Sequence, residues 1–72
     1  MRYERNVDLP ENLQRLLPEH AQDIYREAFN HAYAAHVGEI RQEEAAHSIA
    51  WAAVKWSYIK TSAGWVRRGE IG

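Results

Sequence analysis

The feature that most constrains this chain is a run of apolar residues with strict helical spacing, set between a proline and a glycine. After Pro18 the apolar positions are Ala21, Ile24, Tyr25, Ala28, Phe29, Ala32 and Tyr33, with His36 and Val37 in phase beyond them. The steps alternate between three and one. That period belongs to one face of an α-helix and does not fit the period of two that a strand requires. The opposite face carries Glu19, Gln22, Asp23, Arg26, Glu27 and Asn30. Pro18 suits the first turn, where no backbone N–H bond is lost, and Gly38 is the natural left-handed stop. A helix with such a stripe needs other elements to cover it.

The flanking sequence supplies them. Upstream, Asp8-Leu9-Pro10-Glu11 reads as a helix start, with Asp8 as cap, Pro10 in the first turn and Glu11 in capping-box position. Leu9, Leu13, Leu16 and Leu17 follow as one apolar stripe, and Pro18 ends this short first helix by forcing its predecessor out of helical geometry. Downstream, a third helix begins between Glu39 and Glu43 and runs to about Lys60. Glu43 and Glu44 lie near its positive end and Lys60 near its negative end. Its stripe is Ala46, Ile49, Ala50, Ala53, Val54, Ser57 and Tyr58. Trp51 and Trp56 lie off that stripe, so the segment is apolar on more than one face, which predicts a central position. Ala45, Ala46, Ala50 and Ala53 permit close approach of a neighbour. The short connection around Gly38 makes helices two and three an αα-hairpin. Beyond Lys60, Thr-Ser-Ala-Gly reads as a turn. Trp65-Val66-Arg67 reads as a short extended segment that pairs with Arg2-Tyr3-Glu4. The expected architecture is therefore mainly α: one compact domain over residues 1–72, with a short first helix, a helical hairpin and a two-strand ribbon made by the two termini.

Size and composition narrow the function. A domain of 72 residues buries only about 60% of its unfolded surface, and the eight aromatics are its means of closing a core. With no cysteine there is no disulfide, thiolate zinc site or cysteine nucleophile. The net charge of −1 gives no general attraction to nucleic acid or an anionic membrane. The start of the chain runs into polar sequence without an apolar stretch of signal-peptide type. The most apolar run, Ile49 to Ile59, is far short of the roughly 20 residues that span a bilayer. The expectation is a cytoplasmic protein with no direct membrane insertion.

Candidate chemistry is sparse. His20, His31, His36 and His47 are separated by 11, 5 and 11 residues, which does not place them on one helical face. Glu44-Ala45-Ala46-His47 has the Glu-x-x-His spacing of di-iron bundles, but those sites need two copies and further carboxylates. His47 is therefore expected to cap or to hydrogen-bond, and no metal or other cofactor is assigned. Ser48, Ser57, Thr61 and Ser62 lack elbow or triad spacing, and no Gly-rich phosphate loop is present. The chain is expected not to be an enzyme. Glu19, Asp23 and Glu27 form a row on the second helix, read as a solvated face partly neutralised by Arg15 and Arg26. Lys55, Lys60, Arg67 and Arg68, with Trp65 nearby, make the alternative of a nucleic-acid contact, since cations beside an aromatic can hold a single strand. By segment, residues 1–36 carry four basic and six acidic side chains, residues 37–60 three of each, and residues 61–72 two against one. Trp56, beside the predicted stripe, is the best-placed aromatic for a partner contact.

Several segments in succession resemble the ChaB family of small bacterial proteins, labelled putative cation transport regulators. They are Asp8-Leu9-Pro10, Leu17-Pro18-Glu19-His20-Ala21-Gln22-Asp23-Ile24-Tyr25, Glu27-Ala28-Phe29-Asn30, and Glu43-Glu44-Ala45-Ala46-His47 continuing through Ala50-Trp51-Ala52-Ala53-Val54-Lys55 and Tyr58. The resemblance implies a cytoplasmic, mainly helical regulatory domain, of a family for which no catalytic residues are established, whose protein partner is a membrane cation–proton antiporter. Relatives found in viruses or fused to a nucleic-acid-associated domain keep the nucleic-acid alternative open. Two places depart from the family. The linker Val37-Gly38-Glu39-Ile40-Arg41-Gln42 is shorter than the family's charged linker, and the end, Trp65-Val66-Arg67-Arg68-Gly69-Glu70, shares a Trp followed by basic residues but little else. The matched polar positions His20, Gln22, Asn30, Glu44, His47 and Lys55 are candidates for partner binding or for structure. Their placement at expected helix ends and crossings favours structure.

Overall fold

A computed structural model describes residues 2–70. The polar lead-in is ordered by a single 3-10 turn at Asn6–Asp8. Asp8 does not cap the first helix. Its carboxylate accepts a hydrogen bond from the Arg5 N–H at 3.0 Å and so closes the 3-10 turn. Leu9 is held extended, at φ −68° and ψ 155°, because it precedes proline. Pro10 then takes the N-cap position of α1 (Glu11–Leu16). Leu9, Leu13 and Leu17, at four-residue spacing, are all buried. Leu16, expected in the same stripe, is 48% exposed. The chain leaves the helix at Leu17, extended ahead of Pro18.

Helix α2 (Glu19–Ala35) has Pro18 as its N-cap residue. Its stripe is as expected: Ala21, Tyr25, Phe29 and Ala32 are buried, and Ile24, Ala28 and Tyr33 pack against that core. The α2–α3 connection turns at Gly38, φ +85°, a backbone region that favours glycine. The Gln42 side-chain amide donates to the Tyr33 carbonyl at 2.8 Å, tying the start of α3 to the end of α2.

Helix α3 (Gln42–Ser57) presents buried Ala46, Ala50 and Val54 at four-residue spacing. It packs on α2, so a row of aromatics faces a row of small residues. That complementarity lets two antiparallel helices approach closely while the rings fill the volume between them. The expectation of a central α3 is corrected: α2 takes that position, meeting α3, α1 and the 3-10 turn. One flank of α3 lies open, with Ile49 and Trp56 exposed.

Helix α3 ends at Ser57, earlier than Lys60, and passes into strand β1 (Tyr58–Thr61) with no intervening loop. Strand β2 (Gly64–Arg67) pairs antiparallel with β1, in the register Tyr58↔Arg67, Ile59↔Val66, Lys60↔Trp65 and Thr61↔Gly64. The two-strand ribbon therefore exists, and its second strand is the expected segment. Its partner is the adjacent Tyr58–Thr61 rather than Arg2-Tyr3-Glu4. Closing a hairpin across Ser62-Ala63 costs far less chain entropy than joining the two ends of the protein. Among the described residues no non-glycine has positive φ, so the left-handed conformation that a hairpin reversal requires falls on Gly64, φ +108°. Thr61 reinforces the turn: its hydroxyl donates to the Gly64 carbonyl at 2.9 Å and accepts from the Ala63 N–H at 3.1 Å.

Candidate functional site

The expected polar candidates separate into three whose side chains hold other parts of the fold, Gln22, Asn30 and the exposed His47, and three that hold none. Gln22 bridges the α1–α2 corner, its amide donating to the carbonyls of Leu17 at 2.9 Å and Gln14 at 3.1 Å. Both belong to the last turn of α1 or its cap, where carbonyls lack helical partners. Asn30 holds the amino-terminal segment. Its Oδ1 accepts from the Tyr3 N–H at 2.9 Å, and its Nδ2 donates to the Tyr3 carbonyl at 2.6 Å. One side-chain amide thus completes both backbone groups of Tyr3, as a neighbouring strand would.

His47 is joined to Tyr25. The phenol oxygen and Nδ1 lie 2.6 Å apart, and the rings meet edge-on at 5.9 Å. Burial is the main cause of a Tyr25 pKa pushed up to about 12, with smaller contributions from Tyr3 and Glu43. The phenol is therefore protonated at neutral pH and keeps its O–H beside the His47 ring. Trp51 stands edge-on to Tyr25 at 5.8 Å and against Trp65 at 5.3 Å. Tyr3 lies 5.0 Å from Phe29. The rings of Tyr3, Tyr25, Phe29, His47 and Trp51 line a cleft of about 570 Å³, whose lining includes Glu43 and Glu44.

The other three candidates are exposed. His20 lies 3.9 Å from the Asp23 carboxylate, Glu44 pairs with Arg41 at 3.4 Å, and Lys55 projects from the last turn of α3. Among the described residues no three His, Asp or Glu side chains converge as a metal site. The acidic row on α2 is divided. Asp23 accepts from the Asn6 side-chain amide at 2.7 Å and lies 3.8 Å from Arg26, while Glu19 and Glu27 are exposed. Arg26 also donates to Asn6 Oδ1 at 2.8 Å. Sequence reasoning missed this Asn6–Asp23–Arg26 cluster. It also missed the Gln14 amide, which donates to the carbonyls of Val7 and Leu9. Its one available signal was the spacing of Asp23 and Arg26 on one helical face.

A second surface lies at the carboxyl-terminal end of α3. Of the eight aromatic residues, seven are in the core or packed on it. Trp56 is 83% exposed. With Ala52, Lys55 and Arg68 it lines a shallow groove of about 600 Å³. The Arg68 Nε–H donates to the Lys55 carbonyl at 2.8 Å, a carbonyl that the end of the helix leaves without its usual partner. Lys60 and Arg67 are exposed on the ribbon. The structure thus joins Lys55 and Arg68 directly and places Lys60 and Arg67 on the adjoining strands.

The architecture defines a class: a small helical hairpin, braced by a short amino-terminal helix and extended by a β-ribbon, with its exposed features on surfaces rather than in an enclosed chamber. The chain belongs to the ChaB family, whose model matches residues 9–68. It is 47% identical over 66 residues to the putative cation transport regulator ChaB of Escherichia coli K12, covering 83% of this chain and 87% of that protein. The same values hold for the protein of that name from Shigella flexneri. The NMR solution structure of the putative cation transport regulator ChaB superposes with a TM-score of 0.80 at 44% identity, covering 92% of this chain and 97% of that one. These relatives carry the name of a regulator of transport. No helix among the described residues is long and apolar enough to cross a membrane.

Proposed function

We propose that this protein is a non-enzymatic regulatory domain that acts in the cytoplasm by binding another protein, with a membrane cation–proton antiporter as its partner. The observation that carries this reading is Trp56, exposed while the other aromatics are in or against the core. Exposing a large ring to water forgoes the burial that a small domain needs, and an exposed Trp flanked by Arg is the composition of an interface anchor. The polar groups that family resemblance brings forward support the non-enzymatic part. Gln22, Asn30 and His47 are each engaged in holding backbone or a neighbouring ring. The family name of the relatives supports the transport context.

Two measurements test it. Cation flux through the antiporter in inverted membrane vesicles should change when the protein is added, and the Trp56→Ala variant should lose the effect. Unchanged flux with saturating wild-type protein would remove the antiporter reading. A second reading is a nucleic-acid accessory role, favoured by the exposure of Lys55, Lys60, Arg67 and Arg68. It requires a salt-sensitive gel shift that weakens in an Arg67→Ala/Arg68→Ala variant; absence of any shift at low salt would dispose of it.

A further inference from the structure

We infer that the groove between Trp56 and Arg68 is the docking face, and that its occupant is an acidic protein segment carrying an apolar side chain. The inference rests on the reading that the domain acts by binding a protein, and adds which face binds and what chemistry it selects. Three observations converge on it. First, the sequence from Lys55 to Gly69 contains four cations and no Asp or Glu. Among the described residues, none of Lys55, Lys60, Arg67 and Arg68 takes part in an ion pair, whereas the observed pairs use Arg2, Arg5, Arg26, Arg41, His20 and His36. Second, Arg68 is positioned. Its Nε–H is fixed on the Lys55 carbonyl, which leaves the terminal guanidinium nitrogens to receive a carboxylate in the groove that Trp56 also lines. Third, the apolar lining of the groove is Trp56 and Ala52, a surface suited to one aliphatic or aromatic side chain. An acidic residue next to an apolar one meets both features.

Charge distribution separates a short acidic segment from a nucleic acid. Apart from these four cations the chain has five basic and ten acidic residues, from totals of nine and ten. The chain therefore sets a stretch of four cations between Lys55 and Arg68, two of them lining the groove, against a remainder of charge about −5 (five minus ten). A short peptide can lie against Lys55 and Arg68 in the groove and be steered to it. A polynucleotide long enough to gain from counterion release runs on over the negative remainder.

The test uses the full-length chain labelled with ¹⁵N, followed by NMR. The probes are a short acetylated peptide of alternating Glu and Leu, the same peptide with Gln for Glu, and oligothymidylate. The expected result is a saturable shift of the Trp56 indole N–H and of the amides around residues 52–56 and 66–69 with the Glu peptide. Affinity should fall by about tenfold or more in Trp56→Ala and in Lys55→Glu/Arg68→Glu. These positions are exposed, so the variants should keep the wild-type spectrum elsewhere. An equal response to the Gln peptide, shifts confined to the Tyr25–Trp51 cleft, or tighter binding of oligothymidylate would overturn the proposal. Concentration-dependent shifts of the same residues without peptide would overturn it in favour of a second copy of the chain. A vesicle arm separates this face from the broader reading. Antiporter vesicles that retain wild type and release Lys55→Glu/Arg68→Glu support it. Equal retention of both overturns the face and leaves the regulatory reading intact. Peptide binding at the groove with no vesicle retention removes the antiporter as partner and leaves the face standing.

Discussion

At the scale of single residues, part-buried polar side chains do the work of missing secondary structure. Tyr25 is hydrogen-bonded to the exposed His47, and its buried phenol has a pH signature. Its pKa rises from 10.0 to about 12 in the folded state, so the unfolded chain gives up the proton first. The contribution is fully present below pH about 10 and is lost as pH rises from about 10 to about 12. In Tyr25→Phe the fall of stability across that window should be shallower than in wild type, read from urea melts followed by helical circular dichroism. Equal slopes would show that another group sets the alkaline limit. Asn30 makes two bonds to one residue. Asn30→Ala leaves the Tyr3 backbone unpaired at a part-buried site and should cost about 1–3 kcal/mol. Thermal unfolding is the direct check, with accelerated amide exchange at Tyr3 as its local signature.

At the scale of elements, what could be read from sequence was what is local. The stripe from Ala21 to Tyr33 specifies α2 because helical period, proline start and glycine stop all lie within one segment. The ribbon was legible in half: Trp65-Val66-Arg67 has strand character, but Tyr58-Ile59-Lys60-Thr61 continues an apolar run and was absorbed into α3. The signal there was a change of period at Tyr58, with β-branched Ile59 and Thr61 following a run of helix-favouring alanines. Partner roles were least legible. Nothing in spacing brings His47 to Tyr25, or Asn30 to Tyr3, because those contacts arise only when the hairpin closes and the amino-terminal segment folds back. Gly64 gives an element-scale test. An added Cβ meets nothing within 4 Å, so Gly64→Ala is opposed by backbone conformation alone and should destabilise by about 1 kcal/mol. A D-alanine introduced by chemical synthesis at the same position should be tolerated or stabilising. Equal loss with both enantiomers would locate the cost in side-chain crowding instead.

At the scale of the whole molecule, the 43 × 21 × 15 Å body is held laterally by a segment that crosses α2. Tyr3 lies on Phe29, Asn6 binds Asp23, and Arg2 reaches Glu43 on α3 at 2.7 Å. Removing the residues before Asn6 uncovers Phe29, which is 2% exposed in the intact fold. The truncated chain should melt at lower temperature than Asn30→Ala, because it loses ring packing as well as the amide bonds. Adding Asn30→Ala to the truncation should change stability little further, since both remove the same contact. Additive losses would mean that Asn30 stabilises α2 independently of the segment it holds.

The direct passage from Ser57 to Tyr58 bears on how this protein can change over evolutionary time. Helix and ribbon share one continuous backbone, so the direction of Tyr58 and Trp65 is set by the phase at which α3 ends. A single residue inserted there would turn the ribbon over, bringing Ile59 and Val66 inward and sending the two rings to water. The six-residue connection between α2 and α3, at positions 36–41, imposes no such phase. Length variation among related chains should therefore accumulate at that connection and be purged at the 57–58 junction, making one end of α3 a hinge for divergence and the other a fixed point.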